Sequence, residues 1–210
     1  MSIDFIQKAK FVFWDFDGVI KDSVEVKTAA FEHIFLPFGK DIAKKVKIHH
    51  ELNGGMSRFD KLPIYLNWAD KKPSTRLITE YAEIFSLLVE QKVVDSPWVT
   101  GVLDYLQNNY QRQQFFLVTA TPQQEIENII SQLKITNFFV RVVGSPINKT
   151  QAIKMILKKY SIDQKQAVMI GDSRNDYDAA TSNKINFILR KTSLNQKIQD
   201  QFNCLTIVNF

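Results

Sequence analysis

The sequence predicts an α/β fold in which a parallel β-sheet is covered by helices on both faces and interrupted by an inserted helical domain. An apolar run opens the segment at residues 11–20, which is typical of a buried strand. Residues 22–90 show helical periodicity with few strand signals, and from Val93 onward short apolar segments alternate with amphipathic ones. Strands and helices that alternate at this spacing favour a parallel sheet. With 210 residues, 45% of them hydrophobic, the chain can bury such a core.

Charge and composition argue against several classes of protein. The net charge of +5 comes partly from short lysine patches interleaved with apolar helix positions, as on a solvated helix face, and no nucleic-acid-binding motif accompanies them. No segment has the roughly 18 consecutive apolar residues of a membrane span, and the amino terminus lacks an apolar stretch with a cleavage site. The single cysteine, Cys204, excludes internal disulfides. We expect a monomeric cytoplasmic protein without nucleic-acid or membrane partners.

The first predicted strand ends in two aspartates. The segment reads FVFWDFDGVI, so Asp15 and Asp17 lie two residues apart and Gly18 allows a tight turn. Alternate residues of a strand point the same way, and we therefore expect both carboxylates to project together. Such a pair attracts a hard divalent cation, Mg²⁺ before others, and can divide phosphoryl transfer between a nucleophile, Asp15, and an acid/base, Asp17. A strand ending in solvated turn residues is the alternative.

Four helices are predicted in the insertion. Helix-stopping residues separate them, and Pro63 indicates a kink or an early end of the third. The first ends at Pro37 and Gly39, the second at residues 53–55, the third runs from about Ser57 to Trp68, and Ser74 caps the fourth. We place the cap domain at residues 21–91 and the α/β core domain at residues 1–20 and 92–210.

The remaining residues supply the other strands and helices of the core. Further strands are predicted at residues 115–119, 138–143, 167–170, 186–189 and 205–208. Helices are predicted to start near Pro97, Pro122, Lys149 and Asn175. Parallel sheets bind ligands at the carboxyl ends of their strands, so the residues that follow each strand are the candidate site.

Three residues near these strand ends and helix starts are singled out. Thr119 and the backbone N–H groups that follow it, beginning at Ala120, could hold a phosphoryl oxygen, although a strand-end threonine is also simply a good β-former. Thr121 is interpreted as a helix cap, with Gln124 completing a capping box. Lys149 opposes the dipole of its own helix, which indicates a functional lysine that neutralises phosphoryl oxygens; a surface lysine is the alternative.

A second acidic cluster follows the strand at residues 167–170. Gly171 permits the turn, Asp172 stands at the strand end, and Asp176 lies near the first turn of the next helix. A helix-capping role would explain one of these acidic residues, but it would not explain why two of them follow a second buried strand. We assign Asp172 to a metal ion and Asp176 to orienting that ion or a bound water.

These motifs resemble those of the haloacid dehalogenase superfamily. Its phosphatases have an Asp-x-Asp-Gly after the first strand, a strand-end Thr or Ser, a Lys, and a Gly-Asp-Ser-x-x-Asp. The chain has residues 15–18, Thr119, Lys149 and residues 171–176 in the same order. The resemblance implies a Rossmann-like core and a helical cap inserted after the first motif.

The resemblance also implies the chemistry. It makes Asp15 the nucleophile and Asp17 the acid/base, with Mg²⁺ held by the Asp15 carboxylate, the Asp17 backbone carbonyl and Asp172. The implied activity is hydrolysis of a small phosphorylated metabolite, for which a sugar phosphate is one candidate, through an aspartyl-phosphate. A sugar-phosphate mutase and a catalytically silent binding protein stay as alternatives. The mutase branch has a histidine where Lys27 aligns, and the proline that commonly follows the family's lysine is absent after Lys149.

Cap residues are assigned less directly. Arg58 follows a flexible stretch between two cap helices and is predicted to contact an anionic or hydroxyl-rich part of the substrate, because a guanidinium can bind two oxygens. A helix-start arginine facing water is the alternative. Lys21 and Lys27 are near the site in sequence but could be solvated. The histidines are too scattered for a metal site and are assigned to ordinary helix positions: His33, His49 and His50.

Overall fold

Six parallel strands form one sheet in the computed structural model, which describes residues 2–210. The strands are β1 (Phe11–Trp14), β2 (Gln114–Pro122), β3 (Phe139–Ser145), β4 (Ala167–Gly171), β5 (Asn186–Arg190) and β6 (Leu205–Ile207), in the spatial order β3-β2-β1-β4-β5-β6. Strand β1 is central and pairs with β2 on one side and with β4 on the other. The three strands whose ends carry the predicted site residues are therefore neighbours.

Ten α-helices are described in residues 2–210. They are α1 (Ser2–Lys8), α2 (Val24–Phe35), α3 (Lys40–Leu52), α4 (Arg58–Trp68), α5 (Thr75–Asp95), α6 (Val102–Asn109), α7 (Gln123–Gln132), α8 (Lys149–Lys159), α9 (Arg174–Ser182) and α10 (Gln196–Gln199). Short 3₁₀ helices lie at Leu36–Phe38, Thr136–Phe138, Gln164–Gln166 and Ser193–Asn195. None of these helices has the length and apolar character that a bilayer crossing needs.

The sheet is buried on both faces, which confirms the predicted α/β class. Along β1, Val12 and Trp14 belong to one buried apolar cluster, and Phe13 belongs to a second. Strand β2 alternates in the same way, with Leu117 in the first cluster and Phe116 in the second. Strands covered on both faces read as continuous apolar runs because every side chain meets a helix layer.

Helices α2–α5 follow β1 and precede β2, where the helical insertion was predicted. Aromatic packing holds them together, since Phe31 of α2 lies 4.1 Å from Phe85 of α5 and 5.3 Å from Tyr65 of α4 between ring centroids. Pro63 does not end α4, which continues to Trp68. Helix α5 continues to Asp95, past the predicted domain boundary at residue 91, because no helix-breaking residue occurs before Pro97.

One helix starts later than predicted, and another was not predicted. Helix α6 begins at Val102 and not near Pro97, because Trp98 instead forms a β-bridge with Lys21 and the chain then turns at Gly101, which has a φ of +80°. A Cβ atom at Gly101 would lie 2.1 Å from the Phe210 carbonyl oxygen, so only glycine fits there. Helix α1 was not predicted.

Burial predicts that replacing two leucines by alanine has very different effects on the free energy of unfolding. Leu117 of β2 is fully buried, whereas Leu87 of α5 is 86% exposed. We expect Leu117→Ala to lower the free energy of unfolding by about 2–5 kcal/mol, since it leaves a cavity in the core. Leu87→Ala should change it by less than about 0.5 kcal/mol. Urea denaturation followed by circular dichroism measures both, and equal losses would contradict this description of the core.

Candidate active site

A cavity lies between the sheet and the inserted helices α2–α5, which we call the cap, and it is lined by the residues predicted from the strand ends. Its lining includes Asp15, Asp17, Thr119, Ala120, Lys149 and Asp172. Asp15 follows β1, Thr119 and Ala120 lie in β2, and Asp172 follows β4. Asp176 is not part of the lining, but it accepts a hydrogen bond from Lys149 at 2.6 Å. The parallel order of the three strands brings these residues together, although they are far apart in the sequence.

Lys149 is a buried cation that lines the cavity. Its side chain is 5% exposed, and its Nζ lies 2.8 Å from Asp15 Oδ2 and 2.6 Å from Asp176 Oδ1. Burial alone would lower the pKa of Lys149, but these two carboxylates outweigh it and raise the pKa above the ordinary lysine value. The surface-lysine alternative is therefore wrong. The helix start that carries Lys149 is capped by Asn148, whose side chain accepts a hydrogen bond from the Gln151 amide.

Asp176 holds Lys149 in place. It is fully buried, and its Oδ2 accepts hydrogen bonds from the backbone N–H and the hydroxyl of Ser173 in a capping box. Its Oδ1 accepts from Lys149 at 2.6 Å. Gly171 makes this approach possible, since a Cβ atom there would lie 2.2 Å from the Cβ of Asp176. Both oxygens of Asp176 are thus engaged with protein donors, which suits an orienting role.

Asp15 and Asp172 are crowded carboxylates that require positive charge. One carboxylate oxygen from each of Asp15, Asp172 and Asp176 lies within 4.8 Å of the others. Burial and the charge of Asp176, opposed by Lys149, raise the pKa of Asp15 to about 7. Burial and the charges of Asp15 and Asp176 raise the pKa of Asp172 well above its ordinary value. The single ammonium of Lys149 leaves negative charge uncompensated, and this donor set fits a hard divalent cation such as Mg²⁺.

Gly18 leaves room for the carboxylate of Asp172 in this crowded group. A Cβ atom at this position would lie 2.1 Å from Asp172 Oδ2, and the residue has a φ of +73°. Glycine alone accepts both the conformation and the close approach. Gly18 thus forms the predicted turn and also makes room for Asp172, which follows the neighbouring strand β4.

Asp17 lines the same cavity as Asp15 but has different partners. Strand β1 ends at Trp14, so the alternation of side chains no longer applies beyond it. Asp17 instead pairs with Lys27 and accepts hydrogen bonds from Ser23 at 2.6 Å and from Thr121 at 3.2 Å. Burial would raise the pKa of Asp17, but Lys27 and these hydroxyls lower it. Its carboxylate is therefore held by two residues of the cap and by Thr121 of β2.

Thr121 belongs to the site and does not cap the next helix. The N-cap of α7 is Pro122, and no side chain caps this helix start. Thr121 Oγ1 lies 2.8 Å from Lys27 Nζ, in addition to its contact with Asp17. Its backbone N–H donates to Thr119 Oγ1 at 3.2 Å. Strand β2 continues to Pro122, so Thr121 still belongs to the strand, and the predicted capping box with Gln124 is not formed.

Arg58 joins the cap to the core. Its two terminal nitrogens donate to the two oxygens of Glu125 at 2.8 and 2.6 Å, and both side chains are 4% exposed. Ser86 of the cap also donates to Glu125. The water-facing alternative for Arg58 is wrong, and no sequence pattern identified Glu125 as its partner. Arg58 also lines the cavity, although Glu125 already binds both of its terminal nitrogens. The predicted contact between Arg58 and the substrate stays a prediction.

The other basic residues of the cap divide into two groups. Lys21 lies outside the cavity, because its Nζ donates to the Val94 carbonyl at 2.9 Å and sits 4.4 Å from the Trp98 ring centroid. Lys27, His50 and Lys61 line the cavity. The sequence pattern placed His50 at an ordinary helix position, and it did not identify Lys61 as a candidate site residue.

Comparison with known proteins decides the family. The family model described as haloacid dehalogenase-like hydrolase matches residues 12–190 of this chain. The chain belongs to that family. The four motifs recognised in the sequence lie inside the matched range, and the resemblance stated above is confirmed.

Curated relatives resemble this chain in sequence, and solved structures resemble it in fold. A phosphoglycolate phosphatase of Pseudomonas putida is 26% identical over 184 residues, which cover 81% of this chain and 65% of that protein. The chain thus spans about 65% of the length of the first curated relatives it matches. A β-phosphoglucomutase from Clostridium difficile has a TM-score of 0.73 at 18% identity, with 96% of this chain and 91% of that chain covered. CbbY from Rhodobacter sphaeroides, solved with phosphate, has a TM-score of 0.76 at 12% identity, with 96% and 94% covered.

In this haloacid dehalogenase-like hydrolase, we expect substitutions at Arg58 and Glu125 to have coupled effects on the free energy of unfolding. Arg58→Met leaves a buried carboxylate unpaired and should lower the free energy of unfolding by about 3–5 kcal/mol. Adding Glu125→Met should recover part of that loss, because no unpaired charge then remains. Urea denaturation of both variants measures the coupling.

The exposed pair Arg174–Asp178, with nitrogen and oxygen 3.6 Å apart, provides the control. Arg174→Met should change the free energy of unfolding by less than about 0.5 kcal/mol. A double variant at Arg58 and Glu125 that is less stable than Arg58→Met alone would contradict a buried, mutually dependent pair.

Proposed function

We propose that this protein is an Mg²⁺-dependent phosphatase that hydrolyses a phosphate monoester of a small metabolite through an aspartyl-phosphate on Asp15. The observation that carries the proposal is the contact of Lys149 with Asp15 beside Asp172. A nucleophilic carboxylate, a buried ammonium and a second carboxylate for a metal ion are the groups that phosphoryl transfer needs in one place.

The cation would be held by Asp15, Asp172 and the backbone carbonyl of Asp17. When bound, it supplies positive charge that compensates the carboxylates and the phosphoryl oxygens. Lys149 adds its own charge to the same oxygens. Thr119 and the Ala120 backbone line the cavity on the β2 side, where a hydroxyl and an N–H can donate to the remaining oxygen.

Asp15 and Asp17 divide the two chemical steps. An Asp15 oxygen attacks phosphorus, the bond from phosphorus to the ester oxygen breaks, and Asp17 donates a proton to the leaving oxygen. Asp17 then accepts a proton from water, whose oxygen attacks phosphorus and releases inorganic phosphate from Asp15. The pairing with Lys27 keeps Asp17 ionised in this arrangement, which suits the second step. For the first step Asp17 has to hold a proton, so the contact with Lys27 has to loosen when substrate enters.

The cap supports the same activity. Helices α2–α4 contribute Lys27, His50 and Lys61 to the cavity wall, so the cap covers the reacting groups and excludes bulk water. The Arg58–Glu125 pair holds this closed arrangement. Phosphoglycolate, named for the curated relatives, and sugar phosphates are the substrates to test first.

The proposal predicts which aspartate the activity needs. Asp15→Asn should lower Mg²⁺-dependent hydrolysis of p-nitrophenyl phosphate by about 10³-fold or more, because it removes the nucleophile. Asp178→Asn is the matched control, since Asp178 is exposed and pairs only with Arg174 among the described ion pairs. Its activity should equal that of the wild type.

Inorganic phosphate released from p-nitrophenyl phosphate and from a panel of phosphorylated metabolites is the readout. Full activity of Asp15→Asn, or a wild type that releases no phosphate from any compound with Mg²⁺ present, would overturn the proposal. Conversion of a sugar phosphate without phosphate release would indicate a mutase instead.

A further inference from the structure

Lys61 is a buried cation for which the described chain provides no counter-ion. It lies in α4, its residue is 2% exposed, and it lines the active-site cavity. Its Nζ lies 2.9 Å from Nδ1 of His50 in α3, which accepts the hydrogen bond. No carboxylate in residues 2–210 forms an ion pair with it. Glu51, which also lines the cavity, is not its partner.

The other cations of the cavity are all paired. Lys27 contacts Asp17, Arg58 contacts Glu125, and Lys149 contacts Asp15 and Asp176. A buried ammonium without a counter-ion is unfavourable, because it loses hydration and gains no Coulomb attraction. Burial and the charge of Lys27 accordingly lower the pKa of Lys61 to about 7, and Asp17 opposes this only in part. Lys61 is therefore the group whose environment a negatively charged ligand would improve most.

His50 is arranged to support an anion next to Lys61. Its residue is 8% exposed, and its ring lies 4.9 Å from the Phe31 ring between centroids. Burial and the charges of Lys61 and Lys27 hold the pKa of His50 well below its usual range, so the ring is neutral. With Nδ1 accepting from Lys61, the proton of this neutral ring is on Nε2. One ammonium and one neutral imidazole match a single negative charge.

We propose that Lys61 and His50 form a subsite for a carboxylate on the leaving group, so that the preferred substrates are phosphate esters of small hydroxy acids. The inference rests on the proposed phosphatase function, which places the transferred phosphoryl group at Asp15 in the same cavity. A carboxylate suits the subsite better than a second phosphoryl group, because a dianion would leave one charge uncompensated. A sugar hydroxyl would leave the charge of Lys61 unmatched.

Two substrates that differ only in this group test the proposal. Phosphoglycolate carries a carboxylate, and ethyl phosphate carries a methyl group in its place. We expect the wild type to prefer phosphoglycolate over ethyl phosphate by about tenfold or more in kcat/KM. This comparison needs no variant, and equal rates for the two substrates would overturn the subsite.

A variant at Lys61 locates the preference. Lys61→Met should reduce the ratio of the two kcat/KM values to near one, mainly through a higher KM for phosphoglycolate. Lys61→Arg, which keeps the charge, should retain part of the ratio. Lys47→Met is the control, since Lys47 of the cap is 44% exposed and pairs with Glu32; its ratio should equal that of the wild type.

The outcomes separate this inference from the proposed function. A wild type inactive on both substrates and on p-nitrophenyl phosphate overturns the phosphatase proposal. An active wild type whose preference for phosphoglycolate survives in Lys61→Met overturns only the subsite. A higher kcat/KM for ethylene glycol bisphosphate than for phosphoglycolate also overturns it, since the second anion is then a phosphoryl group.

Discussion

The buried contact of Lys149 with Asp15 and Asp176 is the interaction around which the rest of the site is arranged. Three carboxylates crowd the carboxyl edge of the sheet, and one ammonium lies among them. Without that ammonium, the repulsion between the carboxylates would be uncompensated in a site from which water is largely removed. The excess negative charge that remains is the physical reason to expect a divalent cation there.

Much of the surrounding structure keeps these groups at short range. The strand order places β1 between β2 and β4, and the glycines at positions 18 and 171 remove side chains that would collide with Asp172 and Asp176. The capping box at the start of α9 fixes Asp176, and Asn148 caps the helix that carries Lys149. Local features that look like ordinary helix caps therefore position the charged groups of the site.

The cap and the core are joined by pairs of opposite charge. Lys27 and Arg58 belong to the cap, and their partners, Asp17 and Glu125, belong to the core. Both contacts involve residues that line the cavity, and their side chains are largely buried, so they join the cap to the core at the site. Among the lysines and arginines that line the cavity, Lys61 alone forms no ion pair within residues 2–210, which is why we propose it as the group that receives a ligand.

The sequence predicted the sheet, the inserted helices and the residues after each strand, because apolar periodicity and strand-end motifs are local signals. It did not predict Glu125 or Lys61, since their roles depend on how α4 packs against α7 and α3. It misassigned Thr121, whose helix-cap pattern was overridden by the extension of β2 to Pro122. The pairing of the Asp17 carboxylate with Lys27 could not be read from sequence spacing, because the two residues meet only through the packing of α2 on the core. The assignment of the Asp17 backbone carbonyl to the metal stays a prediction. The predicted domain boundaries, and the roles of Thr119 and Ala120 in phosphate binding, remain predictions.

The most direct test of the account is a crystal structure grown with Mg²⁺ and beryllofluoride, which mimics a phosphoryl group bound to a carboxylate. We expect beryllium bonded to an Asp15 oxygen, Lys149 Nζ in contact with its fluorides, and Mg²⁺ bound by Asp15 and Asp172. Mg²⁺ bound elsewhere, or beryllofluoride absent from Asp15 while Lys149 keeps its two carboxylate contacts, would contradict the central claim that these carboxylates form a phosphoryl-transfer site.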